Sequence, residues 1–327
     1  MKGMYDLVVD YIIQVIMDKA KVSVIIPTYK RSNVLPRAIN SVLNQTYKNI
    51  EVIVVDDNNP RTKYRKDTEM IMEKYRNDKR VRYIKHDRNK NGSAARNTGI
   101  ANAHGEYIAF LDDDDEYLPR KIEVSVKRLE PLDENWAGCY TAYKKILKNN
   151  RFQYSLQKKE GSLLLETLAR NSFLAGGSNL LIRKSTILDI GGFDESFIRN
   201  QDIEFLVRIF RKYKIAYVDE CSLIIHYEVR DMSRTYEENV EIEERFIQTF
   251  KSYIEELSEE EKNYVYTNIA LQRFRISIYK RKIIDGIKNL RKNNVAVSTI
   301  IHYIFYIIHR ILSKTSYGFN LKLNTDS

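Results

Sequence analysis

Between residues 21 and 111, short apolar runs alternate with stretches of helical periodicity, and this alternation constrains the fold more than any other feature. The runs KVSVIIP, EVIVVDD, VRYI and YIAFL are rich in β-branched residues, which is typical of buried strands. Between them, segments such as SNVLPRAINSVLNQ place apolar residues at helical spacing. Strands separated by helices predict an α/β fold: a doubly wound, mostly parallel sheet with helices on both faces.

The composition is that of a globular protein that can build a full core. Of its 327 residues 43% are hydrophobic and 30% are charged, which excludes disordered and collagen-like classes. Cys139 and Cys221 are too few for a disulfide scaffold and lack zinc-binding spacing, so we expect a reducing cytoplasm. The formal charge of +10 lies entirely within residues 262–327, where 12 Lys and Arg face 2 acids.

Residues 295–312 form an apolar segment inside this basic C-terminal region. Ser298, His302 and His309 fall on one helical face and leave the rest apolar. As a helix the segment reaches roughly 27 Å, just short of the ~30 Å hydrocarbon core, so we expect it to lie in the membrane interface. Flanking basic residues would then meet anionic headgroups; they are Arg291, Lys292, Arg310 and Lys314. A helix packed on the protein body or on another subunit is the alternative.

The first 20 residues predict a second amphipathic helix. Polar residues recur every fourth position from Asp6 to Asp18, with apolar residues on the opposite side. Acids interrupt the apolar run and no small-residue cleavage site follows, so a signal peptide is not expected. We therefore expect the chemistry to be intracellular, at the inner face of the membrane.

Polar residues follow three of the predicted strands, where ligands of such sheets bind. Four successive aspartates, 112–115, end the strand YIAFL, and neighbouring carboxylates raise each other's pKa unless a cation is present. In an extended segment Asp112 and Asp114 project to the same side, which predicts a Mn²⁺ or Mg²⁺ site. A solvated acidic loop is the alternative. The segment NGSAARNTG places Arg96 near the start of a helix, an arrangement suited to an anionic or nucleotide ligand.

Four segments together resemble the family 2 glycosyltransferases with the GT-A fold; they are KVSVIIPTYKR, NQTYKNIEVIVVDD, GSAARNTGIANAHGEYIAFLDDDDEYLP and GGFDESFIRNQDIEFLVR. The resemblance covers about residues 21–230. It implies an enzyme that transfers a sugar from a nucleotide-diphosphate donor, expected to be a UDP-sugar, with inversion at the anomeric carbon. The implied acceptor is a saccharide or lipid-linked saccharide of surface polysaccharide synthesis.

The resemblance also implies roles for individual residues. Donor contacts are expected from Pro27, Thr28, Tyr29, Asp56, Asp57, Arg96, Asp112 and Asp113. Asp112 and Asp114 would hold the metal in a DxD motif, with His226 as a further ligand, although His226 is equally readable as a strand-end residue without chemistry. Asp202 takes the place of the catalytic base, or it simply caps a helix. Acceptor contacts are expected from Gly177 and Trp136, with a core position as the alternative for Trp136.

This sequence departs from the family pattern at three places. Asn58 and Asn59 stand where Gly and Ser are common, which puts the ribose contacts in doubt. Gln201 replaces the usual Glu beside Asp202, which removes one charge but leaves the proton acceptor. Asp113 adds a carboxylate at the variable position of DxD, which bears on metal preference.

The predicted organisation has four parts: an N-terminal helix (1–20), a nucleotide-sugar half (21–130), an acceptor half (131–235) and a helical extension (236–327). Its acidic stretch 237–261 and basic stretch 273–292 would pair within one chain or between chains, so a homo-oligomer is left open. Nucleic acid is not an expected partner. Two other functions remain: an inactive nucleotide-binding adaptor at the membrane, and a sugar nucleotidyltransferase, which should carry a Gly-rich loop where this chain has PTYKR.

Overall fold

The computed structural model describes residues 20–227 and 234–321. The helix predicted for the N-terminus falls almost wholly outside the described residues. The chain divides into two compact units. The first comprises the described residues up to 152, with 158–162 and 174–227. The second comprises 153–157, 163–173 and the described residues from 234 onwards.

The elements are numbered in chain order. The strands are β1 Val22–Thr28, β2 Ile50–Asp56, β3 Val81–Lys85, β4 Tyr107–Phe110, β5 Glu116–Tyr117, β6 Trp136–Ile146, β7 Phe152–Ser155, β8 Leu181–Arg183, β9 Lys214–Ile225 and β10 Thr315–Ser316. The helices are α1 Leu35–Leu43, α2 Lys63–Glu73, α3 Gly92–Ala101, α4 Lys121–Leu129, α5 Leu164–Leu168, α6 Lys184–Asp189, α7 Gln201–Lys212, α8 Tyr236–Thr249, α9 Lys251–Glu255, α10 Glu259–Tyr279, α11 Ile283–Lys292 and α12 Val297–Leu312.

A mixed sheet forms the centre of the first unit, and it confirms the predicted α/β class. Strands β3, β2, β1 and β4 lie side by side and parallel. Beyond β4 the direction changes, because β8 is antiparallel to both β4 and β6. Strand β9 then runs parallel to β6 and antiparallel to β5. Strands β1, β2 and β4 are almost wholly buried, which explains their continuous apolar runs, whereas β3 at the edge of the sheet is only partly buried.

The register of the parallel strands determines where the polar strand ends meet. Thr28 at the end of β1 pairs with Asp56 at the end of β2, and Phe110 of β4 pairs with Ile25 of β1. The aspartates that follow β4 therefore emerge at the same edge as the ends of β1 and β2. Helix α1 buries Leu35, Ala38, Ile39 and Val42 in the core that supports this edge.

The second unit is mainly helical and has its own core. Capping boxes at Thr235 and Ser258 begin α8 and α10. Helix α12 occupies most of the predicted segment 295–312 and buries Tyr303 and Tyr306 in a cluster with Phe319. Among the described helices, none combines the length and the apolar character needed to cross a membrane.

The acidic and basic stretches of the second unit pair inside the chain. The Glu243 carboxylate is buried and accepts a hydrogen bond from Arg273 Nε at 2.7 Å, and Glu237 lies 2.9 Å from Lys282 Nζ. The sequence left open whether these stretches pair within one chain or between chains, and these two pairs lie within one chain. The buried pair ties α8 to α10.

Candidate active site

The four aspartates after β4 form a compact turn, not the extended segment assumed from the sequence. The Asp115 N–H donates to the Asp112 carbonyl at 3.1 Å, which closes the turn. Ser178 bridges its ends, because its Oγ accepts from the Asp112 N–H at 3.0 Å and donates to Asp115 Oδ2. Carboxylate oxygens of Asp112, Asp114 and Asp115 consequently lie within 4.8 Å of one another, an arrangement that could hold a metal ion.

The electrostatics of the turn favour a bound cation. Burial raises the pKa of Asp113 to about 6, although Arg31 opposes this. Burial and the Asp112 carboxylate raise the pKa of Asp115 to about 8. Carboxylates gathered this closely resist ionisation together, and a divalent cation removes the conflict. The donor set is all oxygen, which suits Mg²⁺ or Mn²⁺. The residues therefore fit the predicted metal.

Arg31 is an organising residue that carried no role in the sequence interpretation. Its Nη1 lies 2.8 Å from Asp113 Oδ1 and 2.8 Å from Asp114 Oδ2. Thr28 Oγ1 donates to the other oxygen of Asp113 at 2.7 Å. Asp113 is therefore turned toward β1 and held there. The only sequence signal was the position of Arg31 in the PTYKR motif, three residues after the strand ends.

Arg96 links the aspartate turn to helix α7. Its Nη2 lies 2.6 Å from Asp112 Oδ1, and its Nη1 donates to Gln201 Oε1 at 3.1 Å. The guanidinium also lies over the Phe193 ring, 5.6 Å from the centroid. Asn91 caps the helix that carries Arg96, accepting from the Ser93 and Ala94 N–H groups. Gln201, the departure from the family pattern, is thus a neutral partner for this arginine.

Asp202 lies in the first turn of α7, close to the aspartate turn. Burial raises the pKa of its carboxyl group, Arg96 opposes the shift, and Asp112 adds to it. Two glycines allow the backbone to approach both carboxylates. A Cβ on Gly176 would lie 3.2 Å from Asp202 Oδ2, and a Cβ on Gly177 would lie 2.8 Å from Asp112 Oδ2. Gly177, predicted as an acceptor contact, thus lies against Asp112.

Asp56 and Asp57, predicted to contact the donor, both accept several hydrogen bonds from the protein. Asp56 is fully buried: Arg65 Nε lies 3.0 Å from its Oδ2, and Asn58 and Tyr83 donate to its carboxylate. Asp57 accepts from four groups; they are His86 Nδ1, Asn89 Nδ2 and the N–H groups of Lys90 and Asn91. In this arrangement both carboxylates shape the loops around the site.

The β1 end, predicted as a donor contact, borders the aspartate turn. Pro27 is the penultimate residue of β1, and it precedes Thr28, whose buried hydroxyl donates to Asp113. Tyr29 is exposed, and Lys30 Nζ lies 4.9 Å from its ring centroid and 5.3 Å from that of Tyr64. Two aromatic rings therefore flank an exposed cation beside the site.

His226 lies at the turn through its backbone. Its N–H donates to Asp115 Oδ1 at 3.1 Å, whereas its ring Nε2 lies 3.0 Å from Glu116 Oε2. The ring is thus engaged with Glu116 and is not among the clustered metal-ligating groups of the described residues. Residues 228–233, which follow it in the chain, lie outside the described residues.

Trp136, predicted to contact the acceptor, is not brought to this group. It begins β6, and its carbonyl accepts from Arg183 Nε at 3.2 Å. Arg183 pairs with Tyr107, the first residue of β4, whereas the aspartates follow the last residue of β4. Trp136 therefore lies near the end of β4 that is remote from the aspartates. Its ring packs on the core, with Lys214 Nζ 5.8 Å from its centroid. Trp136 is thus partly buried against the core.

Known proteins resemble this chain in sequence and in fold. The profile of the family "Glycosyl transferase family 2" matches residues 23–191, more than half of the chain. An uncharacterized glycosyltransferase of Rickettsia bellii is 37% identical over 207 residues, which are 62% of this chain but only 29% of that protein. A Campylobacter jejuni protein named GalNAc(5)-diNAcBac-PP-undecaprenol beta-1,3-glucosyltransferase is 28% identical over 62% of this chain and 67% of its own.

Among solved structures, that of S. aureus TarS 1-349 superimposes with a TM-score of 0.61 at 18% identity, covering 90% of this chain and 87% of TarS 1-349. A second structure of the same protein, in complex with UDP-GlcNAc, gives a TM-score of 0.56. At this identity the likeness shows the fold alone. The expected fold and family are therefore confirmed, and the chain belongs to glycosyl transferase family 2.

Proposed function

We propose that this chain transfers a sugar, with inversion at the anomeric carbon, from a nucleotide-diphosphate donor to a saccharide or lipid-linked saccharide. One observation carries the proposal: a single guanidinium, that of Arg96, joins the aspartate turn to the first turn of α7. Carboxylates suited to the donor side and a separate carboxylate, Asp202, therefore share one site. The complex of TarS with UDP-GlcNAc supports a UDP-sugar as the donor.

Asp202 is the proposed base of a single displacement. Its raised pKa makes the carboxylate a better proton acceptor than an ordinary aspartate. As an acceptor hydroxyl oxygen attacks the anomeric carbon, Asp202 takes the hydroxyl proton, and the bond from that carbon to the diphosphate breaks. Gly176 leaves room beside Asp202 because it has no side chain. Gln201 is an uncharged neighbour of Asp202 and therefore adds no repulsion against the ionised base.

Asp112 and Asp114 are the proposed ligands of Mn²⁺ or Mg²⁺, and the turn adds Asp115 as a third. When bound, the cation supplies charge that stabilises the leaving diphosphate. Arg31 and Thr28 hold Asp113 away from this role and keep the turn in shape. His226 acts in the proposal through its N–H on Asp115 and not as a metal ligand.

The proposed acceptor side is the cytoplasmic face of a membrane, in surface polysaccharide synthesis. The Campylobacter relative is named for an undecaprenol-linked acceptor, which supports a lipid-linked saccharide here. Helix α12 also supports a membrane contact, because Ile301, Ile304, Phe305 and Ile308 are exposed along one side of it. We propose that this side lies in the membrane interface.

The Asp202→Asn variant tests the catalytic proposal. We expect transfer to fall by about 10²–10⁴-fold, since the base is lost, while nucleotide binding remains. Binding is followed as the rise in melting temperature with UDP, GDP, dTDP or CDP, each with Mn²⁺ and with EDTA. The nucleotide that stabilises the protein names the donor class. Asp67→Asn, at a partly exposed position of α2, is the matched control and should transfer normally.

Three outcomes separate the alternatives. Full transfer by Asp202→Asn would place the base elsewhere. Stabilisation by a nucleotide without transfer by the unaltered chain, tested with sugars of that nucleotide, would favour an inactive adaptor. Release of pyrophosphate from a nucleoside triphosphate and a sugar phosphate would indicate a nucleotidyltransferase.

A further inference from the structure

The turn between α10 and α11 exposes an apolar surface that the proposed function does not use. Five large side chains are exposed there, and Tyr279 and Ile284 keep 82% and 71% of their surface accessible; the set is Ile278, Tyr279, Ile283, Ile284 and Ile287. Apolar side chains that cluster on a surface mark an interaction site more often than single ones do.

The end of α10, the turn and α11 are together strongly basic, and this segment is called the α10–α11 turn below. Residues 278–292 contain six Lys and Arg and a single acid, Asp285. Four of these cations are exposed and make no ion pair with any residue in the described ranges; they are Arg281, Lys288, Arg291 and Lys292. Cations left unpaired beside exposed isoleucines match a surface that is both anionic and apolar.

Close packing holds the turn in a fixed shape. Gly286 lies so near α10 that a Cβ there would be 1.9 Å from Ser277 Oγ. The Lys282 N–H donates to the Ser277 carbonyl at 2.7 Å, and Arg281 takes the left-handed conformation with φ 59°. The apolar side chains are therefore presented outward by a packed helix pair.

Helix α12 lacks this combination of features. Its exposed apolar side carries no Lys or Arg, and its own Arg310 is held internally. The guanidinium of Arg310 lies 4.6 Å from the Phe173 ring centroid and donates to Tyr306 Oη and Ser316 Oγ. Arg310, expected from the sequence to meet headgroups, is thus engaged within the protein. Helix α12 offers apolar contact without a charge that selects one lipid over another.

We propose that the α10–α11 turn is a second membrane contact, which selects anionic lipid headgroups, and that its occupant is an anionic bilayer surface. Its cations approach the headgroups while Tyr279 and Ile284 enter the interface. A second copy of this chain would instead bring like charges together, which opposes association through this turn. The inference rests on the proposed function for its purpose, because it brings the site to a membrane-held acceptor.

The test removes charge without removing apolar surface. The triple variant Lys288→Gln, Arg291→Gln and Lys292→Gln is compared with the unaltered chain in sedimentation with vesicles. Each cation near an anionic surface contributes about fivefold to binding, so we expect a loss of roughly 100-fold on equimolar phosphatidylcholine and phosphatidylglycerol. Binding to pure phosphatidylcholine should change little. Raising the salt concentration should weaken binding by the unaltered chain more than binding by the variant.

A matched control neutralises three exposed lysines of the first unit, Lys74, Lys79 and Lys127, and should bind like the unaltered chain. A second variant, Ile284→Asn, should weaken binding to both kinds of vesicle. Transfer to a water-soluble saccharide should be normal in every variant, since none touches the site. Loss of that transfer would count against the proposed function or the fold of the variant. If transfer is retained, a change in vesicle binding reports on the membrane contact alone.

The inference is overturned if the triple variant binds anionic vesicles as tightly as the unaltered chain, or if the unaltered chain does not prefer them to neutral ones. It is also overturned if the chain self-associates in solution and Ile284→Asn abolishes that association, because the turn would then be a subunit interface.

Discussion

Gly177 offers a direct test of the site geometry, because one added methyl group would meet a single functional oxygen. In Gly177→Ala the new Cβ would lie 2.8 Å from Asp112 Oδ2, closer than Cβ atoms approach such atoms in real proteins. Gly177 is not among the positive-φ residues, so alanine is compatible with its backbone conformation. Any effect of the substitution therefore comes from the contact and not from backbone strain.

The size of the effect follows from how Asp112 is held. Relief of the contact requires the carboxylate to retreat by a few tenths of an ångström, but Arg96 Nη2 holds its other oxygen at 2.6 Å. A displacement of about 1 Å at a reacting centre costs about 10²-fold in rate, so we expect Gly177→Ala to lose about 10-fold or more in transfer. The loss should include weaker Mn²⁺-dependent nucleotide binding, since Asp112 is a proposed ligand.

The assay compares transfer rate, Mn²⁺-dependent nucleotide binding and denaturant unfolding. Gly176→Ala is the matched control: its Cβ would lie 3.1–3.3 Å from atoms of Asp202 and Leu206, a contact that small shifts relieve. It should retain Mn²⁺ binding and lose less activity. If folded Gly177→Ala transfers sugar and binds Mn²⁺ as well as the unaltered chain, then Asp112 does not occupy this position in the working enzyme.

Two further predictions concern pH. In Arg96→Gln the pKa of Asp202 should rise because the opposing cation is gone, so the acidic limb of the pH profile of kcat should move to higher pH at saturating donor and metal. An unchanged limb would mean that Asp202 is not the titrating base. Burial raises the pKa of Asp113 to about 6 and that of Asp115 to about 8. In EDTA the native state therefore holds more protons than the unfolded state above pH ~4. The free energy of unfolding should consequently fall as pH rises toward 8, by about 3 kcal/mol for Asp113 alone. Mn²⁺ should reduce this fall, as measured by denaturant unfolding across pH, and equal slopes with and without it would contradict a metal at the turn.

The sheet could be predicted because its signals are local. The four apolar runs between residues 21 and 111 all lie in or beside β1 to β4, and helix α1 buries four of its five apolar residues at helical spacing and partly buries the fifth, Leu43. Burial on both faces requires a continuous apolar run, and such a run is visible without any partner. The change of direction at β8 was not predicted, because Leu181–Arg183 is only three residues long.

The roles of Asp56 and Trp136 depend on partners that no local pattern reveals. Asp56 stands at a strand end, as ligand-binding residues of such sheets do, but Arg65 from α2 and Tyr83 from β3 bury and satisfy it. Trp136 begins β6, which pairs with β8 and β9, and its carbonyl accepts from Arg183. A residue type and a position predict a candidate, whereas the tertiary contacts decide whether its polar atoms remain available.

The aspartate turn shows how a small change of backbone alters a chemical prediction. Alternation in an extended segment groups Asp112 with Asp114 and sends Asp113 and Asp115 to the other side. The hydrogen bond from the Asp115 N–H to the Asp112 carbonyl replaces that alternation with a turn. Asp115 joins the metal-ligating oxygens, while Asp113 is held by both Arg31 and Thr28. Four identical residues thereby divide into three proposed ligands and one internal anchor. The extra carboxylate at the variable position of DxD is then explained by its partner Arg31, and it does not have to contact the metal.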